Sequence, residues 1–202
     1  TPGSNSTARP RPSFLAIRVI EAGAVPPQPW RNGGGTTREL LAWPSAADWV
    51  LRISMADIGA DGPFSAFPGI ERWFVVLSGT GVSLTFAEGE REVRAGDPPL
   101  RFEGGAAPGC RLLDGPTRDL NLMIRGARGS MEQATPGVAW DAGFAQRGLF
   151  TAVAGRWSGR GEVRRLAAHS LLWEDAAGAG DWRFEPDDPG VRVPGWWLGL
   201  AA

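Results

Sequence analysis

Two segments of the chain alternate polar and apolar side chains in a way that could assemble a binding site. In WVLRISM, Arg52 and Ser54 share one face of a predicted strand, opposite the apolar residues, because successive side chains of a strand point to opposite faces. In TRDLNLMI, Asp119 and Asn121 alternate with leucines in the same manner. These polar positions would face solvent on an isolated antiparallel strand, whereas inside a barrel they would line a cavity.

Together with Ser65 and Arg72, these residues supply many hydrogen-bond donors and few acceptors. Such a set suits an anion, most directly a carboxylate that an arginine binds through two parallel hydrogen bonds. Asp119 has two interpretations: it orients an arginine from behind, or it neutralises one in a structural ion pair. In the structural case Arg72 pairs with Asp119 or Glu71, and there is no ligand.

Other catalytic chemistries have few residues to draw on. The sequence contains no Lys, which excludes a P-loop and Schiff-base catalysis, since both need an amine. His169 is the only histidine and lies in the apolar run RRLAAHSLLW, where a structural role is favoured over catalysis. Cys110 has no histidine near it in the sequence, and we interpret it as a small apolar side chain.

The composition limits the class of protein and its location. The 202 residues are 43% hydrophobic and 21% charged, which is ordinary for a globular protein. One cysteine cannot form an internal disulfide, and no apolar run reaches the roughly 20 residues that cross a bilayer, so we expect a cytoplasmic protein. The net charge is −1 with scattered arginines, which argues against nucleic-acid and membrane partners. The oligomeric state stays open, with a homodimer as one option.

Short strand-like segments recur along most of the chain. They are spaced about 8 to 12 residues apart, between turns that contain Gly, Pro or Asp, which is typical of a sandwich or barrel. Since no stretch keeps a helical periodicity, we predict an all-β fold. The predicted divisions are a flexible leader over 1–13, a first barrel over 14–125, a connection over 126–148 and a smaller second β lobe over 149–202. The second lobe is expected to complete the first or to pack on it.

The spacing that begins at Gly59 resembles the metal-binding signature of cupins. In that signature a Gly is followed after five residues by His-x-His, then by Glu and a second Gly; here Ser65, Phe67 and Arg72 occupy the ligand positions. The second cupin signature is matched by GDPPLRFEGGAA, with Ala107 where the remaining His would stand. None of these side chains replaces an imidazole or a carboxylate as a ligand, so we predict a cupin jelly-roll barrel without metal or cofactor. The alternative is that this block forms two ordinary hairpins with Gly turns.

Three further blocks resemble the HutD/Ves family. They are WRNGGGTTREL from Trp30, WVLRISMADIGADGPFSAFPGIER ending at Arg72, and TRDLNLMIR ending at Arg125. The resemblance covers about residues 15–126 and implies a metal-free, two-lobed, bicupin-like protein. Bacterial members of this family are associated with histidine degradation, which implies a regulatory role rather than catalysis of a step.

The glycine-rich stretch NGGGTT resembles a phosphate-binding loop only superficially, because it leads into a strand-like segment and lacks Lys. We interpret its glycines as turn residues that bring Asn32 and Thr36 to the rim of the site. The full set of predicted ligand-binding residues is Asn32, Thr36, Arg52, Ser54, Ser65, Phe67, Arg72, Asp119 and Asn121.

Three functional hypotheses follow. The favoured one is a metal-free regulator that binds a small carboxylate, such as an intermediate of histidine catabolism. The second is a metal-free cupin isomerase or hydrolase that uses arginine as an electrophile; it requires an aspartate with a strongly raised pKa as the base. The third is a protein-interaction module, in which Trp196 and Trp197 fall on opposite faces of a strand and one is expected to be exposed.

Overall fold

The structure is a computed structural model that describes residues 17–141, 143–176 and 180–201. The leader predicted over residues 1–13 lies outside the described residues. In the part described, two single 3₁₀ turns, Ala22–Ala24 and Gly104–Ala106, interrupt a chain otherwise built from strands and loops. No helix in these ranges is long and apolar enough to cross a membrane.

The described residues form eighteen strands, and the all-β prediction is confirmed. We number them in chain order: β1 (Arg18–Glu21), β2 (Gln28–Pro29), β3 (Gly35–Trp43), β4 (Leu51–Ile58), β5 (Gly62–Pro63), β6 (Ile70–Ser78), β7 (Val82–Phe86), β8 (Gly89–Val93), β9 (Leu100–Glu103), β10 (Gly109–Leu112), β11 (Thr117–Arg125), β12 (Gly129–Gln133), β13 (Gln146–Thr151), β14 (Gly155–Gly159), β15 (Glu162–Leu166), β16 (Ser170–Glu174), β17 (Arg183–Pro186) and β18 (Gly195–Leu200).

The strands form four sheets that make up two lobes. In the first lobe a six-stranded sheet, in the order β2-β3-β4-β11-β6-β9, faces a four-stranded sheet, β5-β10-β7-β8. In the second lobe a five-stranded sheet, β1-β16-β13-β18-β12, faces a three-stranded sheet, β15-β14-β17. Each lobe encloses an apolar interior to which both of its sheets contribute side chains.

The largest core lies between the lobes, where the six-stranded and five-stranded sheets pack against each other. Ile53 of β4 and Leu122 of β11 meet Phe150 of β13 and Leu171 of β16 in this core, and all four are fully buried. The six-stranded sheet is therefore covered on both faces. Its apolar face packs on the second lobe, and its polar face points into the first barrel rather than into bulk solvent.

The lobes are not consecutive in the sequence. Strand β1, within the range predicted for the first barrel, pairs with β16 at one edge of the five-stranded sheet. Strand β12, within the predicted connection, pairs with β18 and forms the other edge. These two strands pair with the outer backbone groups of β16 and β18 and are themselves the edges of the sheet. The expectation of an exposed tryptophan on β18 is wrong, because both faces of this strand are covered. Trp196 packs in the core between the lobes and is 2% exposed, and Trp197 packs inside the second lobe and is 3% exposed.

Candidate functional site

A cavity of about 550 Å³ opens in the first barrel above the polar face of the six-stranded sheet. Its floor comes from alternate residues of adjacent strands: Thr37 on β3, Arg52, Ser54 and Ala56 on β4, Asp119, Asn121 and Met123 on β11, and Arg72 on β6. Its walls come from two segments: residues 28–32, which include β2, and residues 63–67, which begin at the end of β5. A volume of this size suits a small organic ligand.

Arg72 lies in the floor of the cavity and is 4% exposed. Its Nη2 donates a hydrogen bond of 2.7 Å to Oδ1 of Asn121 on the neighbouring strand. The guanidinium carbon lies 5.0 Å, 5.1 Å and 5.9 Å from the ring centroids of Phe64, Phe102 and Phe67. The Nε–H is buried without a hydrogen-bond partner. Arg72 therefore presents a cation among aromatic rings with a donor left unused.

The described residues give Arg72 no direct ion pair. Glu71, one of the two carboxylates considered from the sequence, instead accepts hydrogen bonds from Arg101 and from the Trp73 indole. Asp119 is reached only through Asn121, whose Nδ2 donates to Oδ1 of Asp119. Burial lowers the pKa of Arg72 to about 10; attraction to Asp119 opposes this shift and repulsion from Arg52 adds to it.

Asp119 is 1% exposed and is the only acidic residue among those that line the cavity in the described structure. Burial raises the pKa of its carboxyl to about 8. The positive charge of Arg72 opposes this rise, the negative charge of Asp57 adds to it, and the hydrogen bond from Asn121 opposes it. The carboxyl group can therefore gain or lose a proton close to neutral pH.

The structure brings most of the other predicted residues to the same cavity. Arg52 lines it and donates from Nε to Oε2 of Glu39 at 2.7 Å, while Ser54 is buried beside it. Ser65 and Phe67 line the cavity from the loop that follows β5. Asn32 also lines it and accepts a hydrogen bond of 3.0 Å from the Gly34 amide, which holds a turn.

Thr36 is the exception among the nine predicted residues. Its neighbour Thr37 lines the cavity instead, and its Oγ1 accepts a hydrogen bond of 2.7 Å from the Trp30 indole. The sequence reasoning also missed Trp30, Arg31 and Phe64, which line the walls. Trp30 and Arg31 precede Asn32 directly in the block WRNGGGTTREL, and this adjacency could have predicted that they reach the cavity. Phe64 lies in no alternating pattern that would have predicted it.

The chain matches a known protein family over most of its length. The HutD family model matches residues 22–188 of the chain. The chain belongs to the HutD family. A relative named Protein Ves, from Citrobacter koseri, is 30% identical over 153 residues, which cover 75% of this chain and 80% of the relative. An uncharacterized 21.2 kDa protein in the hutC 3′ region of Pseudomonas putida is 34% identical over 110 residues, 53% of this chain and 57% of that protein.

Solved structures agree with this assignment. HutD from Pseudomonas fluorescens SBW25, in a structure described as a formate condition, matches with a TM-score of 0.79 and 27% identity over 92% of this chain and 98% of that chain. Bacillus subtilis oxalate decarboxylase matches with a TM-score of 0.61 at 10% identity, over 91% of this chain and 76% of that chain. That distant likeness concerns the fold alone, which is of the cupin type.

The metal site of metal-binding cupins does not fit the side chains of this HutD-family chain. By the spacing of the cupin signature, Ser65, Phe67 and Arg72 take the positions of its ligands, and the residue in place of the carboxylate is a buried arginine. A cation already held among aromatic rings repels a second cation. Within the described ranges no group of three His, Cys, Asp or Glu side chains lies close enough together to hold a metal ion.

Proposed function

We propose that this HutD-family protein binds a small carboxylate in the cavity of the first barrel, without a metal, and that binding serves regulation of histidine utilisation or a related catabolic response. The observation that carries the proposal is Arg72: a guanidinium 4% exposed, lining a cavity, with its Nε–H unpartnered. A buried donor without a partner is costly, and a ligand oxygen would satisfy it.

The other lining residues support an anion rather than a cation. Arg31, Arg52 and Arg72 line the cavity together with Asp119, so positive groups outnumber negative ones. Arginine can bind a carboxylate through two parallel hydrogen bonds, and the low local dielectric strengthens such a pair. Trp30 and Phe64 give the walls apolar surface for the carbon part of a small organic acid.

The regulatory part of the proposal rests on relatives. The chain belongs to the HutD family, and one relative is described by its position in a hutC 3′ region. A protein that senses a catabolic intermediate would act in the cytoplasm, where such intermediates are formed. The carboxylate would then be a signal whose concentration reports the flux of breakdown.

Titration with sodium formate tests the binding proposal. Arg72→Met removes the charge while filling the space between the phenyl rings, so we expect formate affinity to fall by about 2 kcal/mol or more and the melting temperature to hold. Isothermal calorimetry and thermal melting measure the two quantities. The matched control is Arg101→Met, which removes an exposed arginine paired with Glu71 outside the cavity. Equal formate affinity in the wild type and in a folded Arg72→Met variant would contradict the proposal.

A second candidate function is favoured by one observation. A metal-free cupin enzyme needs a base that titrates near neutral pH, and Asp119 lines the cavity with a pKa raised by burial to about 8. The discriminating experiment incubates the protein with the carboxylates formed as histidine is degraded and follows them by proton NMR. Turnover that Asp119→Asn abolishes would favour the enzyme; binding without turnover would favour the regulator.

A further inference from the structure

We infer that the site takes up a proton together with its anion, and that Asp119 is the group that accepts it. The inference rests on the proposed carboxylate function and adds to it a form of regulation, because occupancy of the site then depends on both carboxylate and proton concentrations. It concerns buried side chains at the floor of the cavity.

The geometry places the anion site and Asp119 on opposite sides of one amide. Asn121 accepts from Arg72 through Oδ1 and donates to Asp119 through Nδ2, so the three side chains form a single hydrogen-bonded series. All three are at most 6% exposed. In the empty site, an ionised Asp119 is the counter-charge that Arg72 has available inside the cavity. A ligand carboxylate on Arg72 would compete for that role.

Two carboxylates that share one buried cationic group do not both remain ionised. Repulsion in a water-poor site raises the pKa of one of them, as in paired carboxylates of active sites. A small ligand acid such as formate is strongly acidic compared with Asp119, so the proton goes to Asp119. Binding of the anion is thereby coupled to neutralisation of the buried aspartate.

Charged and titratable groups on neighbouring strands also act on Asp119. Asp57 on β4 acts on Asp119 through its negative charge. Burial raises the Asp57 pKa, but hydrogen bonds from Arg118 and Arg38, together with their positive charges, outweigh burial and hold that pKa below its usual value. Arg52, also on β4, is paired with Glu39.

On the remaining sides, β10 contributes Cys110, and β6 contributes Arg72. Burial raises the pKa of the Cys110 thiol to about 12, with Asp119 and Asp61 adding to the rise, so the thiol stays protonated. Burial lowers the pKa of Arg72 only to about 10. Of Asp57, Cys110, Arg72 and Asp119, it is therefore Asp119 whose carboxyl group changes its charge between pH 7 and pH 9.

The sign of the pH dependence follows from the protonation states. Below about pH 8 Asp119 is neutral and leaves the charge of Arg72 free for an anion. Above that pH an ionised Asp119 neutralises Arg72 and repels the ligand. Formate affinity should be constant between pH 6 and 7, then fall by up to tenfold for each pH unit above 8, with proton uptake approaching one per formate in that range.

Calorimetric titration with sodium formate at pH 6.5, 8 and 9 tests the inference, with each pH measured in two buffers of different ionisation enthalpy. We expect a several-fold weaker affinity at pH 9 and a binding heat that differs between buffers at pH 8 and 9. Asp119→Asn should remove both effects. The matched control Cys110→Ala, which changes a buried neighbour outside the lining residues, should keep both.

The possible outcomes distinguish a failure of proton uptake by Asp119 from a failure of carboxylate binding itself. Formate binding with equal affinity at all three pH values and no buffer-dependent heat would overturn proton uptake and leave carboxylate binding intact. A pH dependence that survives in Asp119→Asn would also overturn it. If no formate binds at any pH, the proposed function itself fails. If Asp119→Asn does not fold, an NMR titration of the Asp119 carboxyl carbon in the wild type tests the same inference. The pKa of Asp119 must then be higher with formate than without it.

Discussion

Two buried arginines show how the surroundings of a residue decide its role. Arg147 is 1% exposed, and it donates 2.7 Å and 2.9 Å hydrogen bonds to Oε2 of Glu174 and to the Gly180 carbonyl. Its guanidinium also lies 4.4 Å from the Trp182 ring. Arg72 has aromatic neighbours of the same kind but no carboxylate within ion-pair distance in the described residues. Arg147 is accordingly held by a carboxylate, whereas Arg72 is the arginine for which we propose a ligand.

Substitution of Glu174 tests this contrast. Glu174→Gln leaves the buried Arg147 without its counter-charge, so we expect the free energy of unfolding to fall by about 3 kcal/mol or more. Denaturant unfolding measures the change, and formate affinity below the melting temperature should stay as in the wild type. The control is Asp175→Asn, which breaks the exposed pair with Arg18 and should cost less than about 1 kcal/mol. Similar losses in both variants would show that Arg147 does not depend on Glu174.

At the scale of elements, β4 shows what alternation in the sequence can predict. Its division into an apolar face and a polar face follows from the two-residue period, and the structure has Ile53 in the inter-lobe core and Ser54 at the cavity. The pattern could not tell whether the polar face meets solvent. That depends on the second lobe covering the opposite face, which no local pattern in β4 encodes.

An irregularity in β3 explains why Thr37 rather than Thr36 lines the cavity. An irregularity between Glu39 and Leu41 inserts Leu40 into the pairing with β4, so that Glu39 lies opposite Ser54 and Leu41 opposite Ile53. Such a bulge reverses the alternation on its far side. The prediction of Thr36 depended on the glycine turn before β3, whereas the bulge determines which face each residue of β3 takes and brings Thr37, opposite Ala56, to the cavity face. A bulge of this kind has no reliable sign in a single sequence.

The two faces of β4 should separate stability from binding. Ile53→Ala removes a fully buried side chain from the core between the lobes and should cost about 2–5 kcal/mol of unfolding free energy, with little change in formate affinity. Ser54→Ala should change stability by less than about 1 kcal/mol and weaken formate binding several-fold, because a cavity hydroxyl is lost. Denaturant melts and formate titrations of both variants measure these effects. Weaker formate binding in Ile53→Ala than in Ser54→Ala would contradict the assignment of the faces.

At the scale of the whole molecule, the sequence contains local signals for the cupin fold but none for strand pairings between distant segments. Gly79, spaced as in the cupin signature, adopts φ +93°, and a Cβ there would lie 2.5 Å from the Pro116 carbonyl oxygen, so its identity follows from the turn after β6. The pairing of β1 with β16 joins segments about 150 residues apart and has no local signal. The largest core is consequently shared by both lobes.

This shared core leads us to expect a single unfolding transition for both lobes. Loss of the second lobe would expose the apolar face of the six-stranded sheet, including Ile53 and Leu122, so neither lobe keeps its packing without the other. Leu171→Ala, a fully buried change in the second lobe, should therefore lower the whole transition, by roughly 2–4 °C for each kcal/mol lost. Scanning calorimetry should give equal calorimetric and van't Hoff enthalpies, and formate binding in the first lobe should disappear at the same lowered temperature. Two resolved transitions, or formate binding that outlasts the unfolding of the second lobe, would mean that the first barrel is stable by itself and that the inter-lobe core does not couple the lobes.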